Sequence, residues 1–487
     1  MGKLSWIAVI GLGLTAIVIA AIVLLPIALV PLKRCPGYAA CPSINYARTL
    51  TADPDAVALA DTIRRSEEAA LAERWKTDPA QRKILLGKLI YFDTSLSVLG
   101  NQACASCHAP AAGFAGGISA FNKSGVTLPG SVAVRTANRM PPSAAYAVFA
   151  PVQFYRELTG DFIGGSFWDE RATGALTGIP AADQAMSPFV NPLEMGLPDP
   201  ACAVLRVARG KYAKLFRDVW GAPFPQWPDD ADRICRTPGE GGSLSRLRLS
   251  AKDRAAAGTA YKNIALALAA FEASPDVSPF TSKLDAVLAG KAHFTRQEAE
   301  GRNLFDGKAN CILCHMSFGP RPLFTNFAAV NTGVPANRKL PYYKESIDNG
   351  KGLIANPLDA AYVDNGVGPI LAQSSNPQWR RLAPKFTGAF QVPTLRNVAA
   401  LPRSGFVRSY MHNGYFTSLA EIVHFYNTRD TLARCDGGKD VAGVTCWPAP
   451  EQSANINRKQ IGHLGLTPDE EAAIVAFLGT LTDGFRP

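Results

Sequence analysis

Two short words carry most of the chemistry in this chain: Cys104-Ala-Ser-Cys107-His108 and Cys311-Ile-Leu-Cys314-His315. A Cys-x-x-Cys-His word is a c-type haem attachment signature, in which two thiols add across the vinyl groups and the next histidine ligates the iron. Zinc and dithiol redox chemistry also use Cys-x-x-Cys. A zinc ribbon, however, brings its second pair ~15–20 residues after the first. Here the second pair starts at Cys311, far along the chain. Two copies, each after a similar lead-in, favour two covalently bound haem c groups.

The histidines divide the two haems. There are six: His108, His293, His315, His412, His424 and His463. None lies between His108 and His293, so the first haem has no local histidine for its far side. An iron with an open position binds a small molecule, whereas closed six-coordination favours electron transfer. Met140, Met186 and Met195 are the competing sixth ligands. A carboxylate over an open iron can move a proton between the two oxygens of bound peroxide, which cleavage of the O–O bond requires. Glu194, within Asn191-Pro192-Leu193-Glu194-Met195-Gly196, fits that role, with Gln184 as a hydrogen-bonding companion. A lone glutamate in such a turn is otherwise an ordinary surface residue. Trp168, in Phe167-Trp168-Asp169, either packs a core or lies between the haems and carries an electron or a hole.

These residues need elements to position them, and the chain supplies similar ones twice. Asp78-Pro79-Ala80-Gln81 predicts a capped helix start with proline at its first position, continuing through Leu85, Leu89 and Phe92 to the first haem word. Thr295-Arg296-Gln297-Glu298 is a capping box leading through Leu304-Phe305-Asp306 to the second. Gly87-Lys88-Leu89-Ile90-Tyr91-Phe92-Asp93 resembles Gly301-Arg302-Asn303-Leu304-Phe305-Asp306, which indicates a duplicated cytochrome c unit. Thr467-Pro468-Asp469-Glu470 caps a last helix, with Ile474, Phe477, Leu478 and Leu481 at helical spacing and Gly484 as its stop. Ala56 to Trp75 has helical composition, and Ile264–Phe271 suggests a buried helix. Segments 221–250 and 330–385, rich in Gly, Pro, Asn and Asp, read as loops covering the haems. Strand signal is weak. The expected fold is mainly α: two cytochrome c-like haem domains with long loops, plus an N-terminal transmembrane helix.

That helix comes from residues 6–30, which carry no charge. The stretch is longer than the ~7–15-residue apolar region of a cleaved signal and matches the ~20 residues that cross a bilayer. An uncleaved single-pass anchor in the bacterial inner membrane is expected over 5–31, with a cleaved signal as the alternative. Lys3, Lys33 and Arg34 flank both ends, so loop charge does not set the orientation. Thioether attachment does, because it occurs outside the bacterial cytoplasm; the body is expected in the periplasm. The domains then run 5–31 (anchor), 32–77 (connector and helix), 78–290 (first haem) and 291–487 (second haem). Ten cysteines less the four haem thiols leave Cys35, Cys41, Cys202, Cys235, Cys435 and Cys446. An even remainder in an exported chain suggests disulfides, and the most local pairing joins neighbours. The net charge of +10 is modest over 487 residues, and no basic cluster with interleaved aromatics points to nucleic acid.

Several words together resemble the bacterial dihaem cytochrome c peroxidase family, including its MauG (methylamine-utilisation) branch. They are Gly87-Lys88 with Phe92-Asp93, both haem words, Phe167-Trp168-Asp169-x-Arg171-Ala172, Asn191-Pro192-x-Glu194-Met195-Gly196, Val392-Pro393-Thr394-Leu395-Arg396-Asn397, Tyr410-Met411-His412-Asn413-Gly414 and Phe425-Tyr426. The resemblance spans about residues 79–484. It implies a peroxide site at the N-terminal haem, an electron store at the C-terminal haem, Trp168 as the bridge and Glu194 as the acid–base group. The family's branches differ in the sixth ligand of the second haem, methionine in peroxidases and tyrosine in MauG. That position falls on Tyr426, with Met411 as its rival. A phenolate favours ferric or higher states, and a thioether favours ferrous iron. Arg396 either pairs with a haem propionate or forms a structural salt bridge.

Two departures matter. Other family peroxidases carry a histidine after the first haem word that caps the iron until activation; this chain has none there, which implies an open site. The family often holds Ca2+ between the haems through a Pro-Thr-x-x-Asn-like word, where this chain reads Met140-Pro141-Pro142-Ser143. The resemblance therefore implies a peroxidase that reduces hydrogen peroxide with electrons from a small donor such as cytochrome c. The alternatives are a MauG-like oxidase that uses a high-valent iron state on a protein or organic substrate, and a non-enzymatic electron carrier.

Overall fold

Capped segments become helices, and long loops join them. The computed structural model describes residues 50–487 except 74–77, 222, 241–245, 345–352 and 354. The expected anchor over 5–31 and the Cys35–Cys41 pair lie outside the described residues. No described helix is long and apolar enough to cross a membrane.

In the N-terminal half, α1 (Pro54–Glu73) precedes α2 (Arg82–Phe92), which leads to the first haem word. Helix α2 differs from its expected start. Pro79 opens a short 3-10 turn, Pro79–Gln81, closed by the Gln81 N–H on the Asp78 carbonyl, and the α-helix begins only at Arg82 without a side-chain cap. Then come α3 (Pro180–Val190), α4 (Pro200–Arg209) and α5 (Ala251–Glu272). Asp199 caps α4 and Ser250 caps α5 through first-turn N–H groups. In the C-terminal half, α6 (Arg296–Asp306), α7 (Leu419–Thr428) and α8 (Pro468–Gly479) each start with a complete capping box. Helix α8 ends at Gly479 rather than at Gly484. Thr480 bonds back to the Phe477 carbonyl, and its own carbonyl accepts the Leu284 N–H, which turns the chain away.

The duplication shows in how the helices touch. A Cβ on Gly87 of α2 would lie 1.9 Å from the Ala267 carbonyl oxygen and 2.8 Å from Phe271 Cβ, both on α5. A Cβ on Gly301 of α6 would lie 1.9 Å from the Ala473 carbonyl oxygen and 2.9 Å from Phe477 Cβ, both on α8. Only glycine permits either approach. One core gathers Leu86, Phe189, Val204 and Ile264 from α2 to α5. A second gathers Phe305, Val423 and Phe477 from α6 to α8.

Strands are few among the described residues. Phe154–Arg156 pairs antiparallel with Asp161–Ile163, Ala329–Val330 antiparallel with Phe390–Gln391, and Ala433–Arg434 parallel with Cys446–Trp447. Disulfides join Cys202 to Cys235 and Cys435 to Cys446, with Cα separations of 5.3 and 5.0 Å. The first ties α4 to the short helix Ala231–Cys235 within 221–250. The 330–385 segment is not bare loop either. Its short helices Gly368–Ala372 and Pro377–Leu382 pack Leu371 and Trp379 around Phe162 and Phe386.

Candidate functional site

Both haem words meet at one cavity of about 420 Å³, lined by Cys104, Cys107, His108, Cys311, Cys314 and His315. The four thiols are free and half-buried. Each histidine is held from behind. His108 Nδ1 donates to the Pro142 carbonyl at 2.9 Å, and His315 Nδ1 donates to the Phe324 carbonyl at 2.9 Å. Such bonds fix the tautomer and leave Nε2 for a metal. Burial lowers the pKa of both, that of His315 to about 4, so the rings are neutral and ready to ligate. Among the described residues, neither word's two thiols and imidazole converge within one metal's reach; the one close set, Cys435 with Asp440 and Cys446, contains a disulfide. A chelated zinc needs that convergence. Thiols spread along a large apolar cavity, with a histidine fixed beside them, fit a covalently attached haem.

Helix α2 also supports the first site: the Tyr91 hydroxyl donates to the His108 carbonyl at 2.6 Å. Helix α3 and the loop after it bring Gln184 and Glu194 onto the same cavity. The loop is pinned by the Glu194 N–H on the Asn191 carbonyl and the Ser131 N–H on the Glu194 carbonyl. Asn191 Nδ2 donates to Glu194 Oε1 at 2.7 Å. Desolvation raises the Glu194 pKa, while Arg171 and Asn191 act against it. Neighbouring Asp183 is taken up by Thr177 and the Leu176 N–H and does not serve the cavity. Of the rival methionines, Met140 and Met195 line the cavity, whereas Met186 packs against the first core.

Trp168 touches both halves. Its indole N–H donates to the Met140 carbonyl at 2.8 Å, and its own carbonyl accepts the Gln391 N–H at 2.8 Å. Its ring lies edge-on to His412, 6.4 Å between centroids, and His412 stacks on Phe390 at 3.6 Å. The next residue, Asp169, binds Arg139 at 2.6 Å and Arg171 at 2.8 Å, and Arg139 continues to Asp364 at 2.7 Å. In the Met140–Ser143 stretch the Met140 and Pro142 carbonyls are thus already engaged, by Trp168 and His108.

At the second word, Tyr426 on α7 and Met411 both line the cavity. Burial raises the Tyr426 pKa, with smaller upward contributions from Cys314 and Cys311, while Arg429 and a hydrogen bond with Thr332 act against it. Met411 adopts a left-handed backbone, φ 67°, and packs beside Phe416 and Phe425. Arg396 is bound by both nitrogens of its fork to Asp285, at 2.7 and 2.9 Å, and by Nε to the Pro322 carbonyl. Its geometry is that of the structural salt bridge.

Two buried titratable residues on the cavity, Glu272 and Arg408, escaped the sequence reading. Glu272 ends α5, and burial raises its pKa to about 8. Its signal was available: a carboxylate closing the apolar run Ile264–Phe271. Arg408 had none, since one arginine in a loop looks like any other.

The comparisons with known proteins agree with this geometry. The family model described as di-haem cytochrome c peroxidase matches residues 81–293. The chain is 32% identical over 406 residues to the methylamine utilization protein MauG of Paracoccus denitrificans (strain Pd 1222), covering 82% of this chain and 88% of that protein. It is 26% identical over 415 residues to the cytochrome-c peroxidase IdrP1 of Denitromonas iodatirespirans, covering 82% and 81%. The solved structure of the diheme peroxidase BthA from Burkholderia thailandensis E264 superposes with a TM-score of 0.62 at 26% identity, over 84% of this chain and 89% of that one.

Proposed function

The chain belongs to the di-haem cytochrome c peroxidase family of haem-dependent oxidoreductases and carries two c-type haems, and from that premise we propose that it reduces hydrogen peroxide at the haem of His108. Haem supplies the redox chemistry: an iron that exchanges electrons and, where one face is open, accepts peroxide. The observation that carries the reading is Glu194, a carboxyl desolvated on the cavity and oriented by Asn191. Its raised pKa suits a group that takes a proton from one peroxide oxygen and returns it to the other. Gln184 orients the substrate beside it. The balance is one peroxide, two electrons and two protons to two waters.

His315, Cys311 and Cys314 would hold the haem that receives electrons, and Trp168 would carry them across, a role that its bonds to Met140 and Gln391 support. In this reading residues 78–290 form the peroxide half and 291–487 the electron-transfer half. The donor is a small redox protein of the cytochrome c type. The body works in the periplasm, a site supported by its two disulfides. The apolar stretch over 5–31 anchors it to the inner membrane.

A second reading has a specific observation behind it. Tyr426 lines the cavity with Cys311, Cys314 and His315, and a phenolate there favours oxidised iron. The oxidising equivalents would then pass to a protein or organic substrate, as a MauG-like oxidase uses them. Peroxide turnover with reduced cytochrome c separates the two. Rapid turnover supports the peroxidase; negligible turnover, with long-lived oxidation of both haems, supports the oxidase.

A further inference from the structure

Among the described residues Arg408 is a buried cation without a counter-charge. It is 7% exposed and lines the haem cavity. A single nitrogen, Nη1, makes its hydrogen bonds: to the Asn397 carbonyl at 2.7 Å and the Ala400 carbonyl at 3.4 Å. The Tyr410 ring lies 5.6 Å from its guanidinium carbon. Among the described residues no carboxylate pairs with it. Glu272 shares the cavity, but burial alone shifts that carboxyl, with no contribution from an arginine.

Fully buried Arg135 bonds the Pro192 and Gly239 carbonyls, and three further arginines have carboxylates. Arg139 has Asp169 and Asp364, Arg396 has Asp285, and Arg429 has Asp430. Arg206 lacks a carboxylate but bonds four carbonyls with two nitrogens. Arg408 leaves Nε and Nη2 unengaged. An unpaired buried charge is strongly unfavourable, and a guanidinium does not escape by losing its proton. The partner must therefore come with what fills the cavity. Haem brings carboxylates, its propionates, and a fork of two N–H groups matches a carboxylate.

The surroundings say which haem. Asn122 Nδ2 donates to the Val407 carbonyl at 3.0 Å, Ser409 Oγ donates to Asn122 Oδ1 at 3.2 Å, and the Val407 N–H donates to Ser119 Oγ at 2.9 Å. Asn397 and Ala400, whose carbonyls hold Arg408, press on Gly113, where a Cβ would lie 2.9 and 3.1 Å from them. Among the described residues Arg408 itself bonds only the C-terminal half, but its neighbours Val407 and Ser409 and its partners Asn397 and Ala400 contact the segment that follows His108. We propose that Arg408 binds a propionate of the haem attached at Cys104 and Cys107, so that the C-terminal half sets the charge around the peroxide-site iron.

The inference rests on haem attachment and not on the peroxidase reading, so peroxide turnover does not decide it. Removing the cation leaves a propionate uncompensated, which stabilises ferric iron. In the purified dihaem protein, Arg408→Met should lower the midpoint potential of the first haem and leave that of the second in place. The propionate bending band of the first haem in resonance Raman spectra should shift with it. An unchanged potential and band at the first haem, or changes confined to the second, overturn the proposal. If the methionine variant does not accumulate, Arg408→Lys decides: the point charge cannot reproduce the fork, so the band shifts if the proposal holds and stays at its wild-type position if it does not.

Discussion

Trp168 is held by Met140: the indole N–H donates to the Met140 backbone carbonyl at 2.8 Å, and that same segment carries the Pro142 carbonyl that fixes His108. Trp168, the proposed bridge, and His108, the proposed ligand of the first haem, are therefore set by one short piece of chain. Trp168→Phe keeps an aromatic ring and removes the indole and its bond. Both haems should remain attached, and electron equilibration between them should slow by at least about tenfold, a barrier increase of ~1.4 kcal/mol. Rapid-mixing spectroscopy at the two haem bands checks this; an unchanged rate takes Trp168 out of the path.

Glu194 is the residue asked to move the proton. Glu194→Gln preserves shape and removes the titrating group. The peroxide reaction should slow by about 10²–10⁴-fold, the range of general acid–base catalysis, with the haem content unaltered. Stopped-flow mixing with peroxide measures it, and wild-type kinetics would remove Glu194 from the mechanism.

Tyr426 and Met411 both line the cavity, and of the two only Tyr426 offers an oxygen that can become an anionic ligand. Tyr426→Phe should change the low-spin haem spectrum, and Met411→Leu should leave it alone. The reverse pattern would make Met411 the ligand.

Much of this was legible in the sequence, for physical reasons that can be named. The haem words, the capping boxes at Thr295 and Thr467 and the repeated Gly87 and Gly301 helices are local signals, and local signals survive folding. The pairs Cys202–Cys235 and Cys435–Cys446 were the most local choices and are the ones formed. What could not be read was set by distant partners. Among the described residues Arg396 meets Asp285 and Arg408 meets nothing charged, yet no sequence pattern separates the two. The end of α8 was missed because Thr480, not a glycine, turns the chain there.

Burial raises the Glu272 pKa to about 8, well above the ordinary glutamate value. Between the unfolded and folded values the folded protein holds a proton that the unfolded chain has released. Stability should therefore fall as pH rises through that window and level off above about 8. Glu272→Gln should flatten this dependence. Melting curves of the dihaem protein from pH 5 to 9 test it; equal slopes in variant and wild type count against a buried acid.

The Cys202–Cys235 bond joins residues 33 apart in sequence, and Cys435–Cys446 joins residues 11 apart. Replacing the first pair with alanines should cost about 2–4 kcal/mol and exceed the cost of removing the second, because a longer closed loop restricts the unfolded chain more. Chemical denaturation of the two double variants gives the order, and a larger loss from the shorter loop would contradict it.

The central claim is that the haem of His108 keeps one face free for peroxide while the haem of His315 is closed on both. Electron paramagnetic resonance of the oxidised dihaem protein tests this directly. One high-spin signal beside one low-spin signal is the predicted result. Two low-spin signals that persist when peroxide is added would mean that side chains cap both irons, and that the protein carries electrons without reducing peroxide.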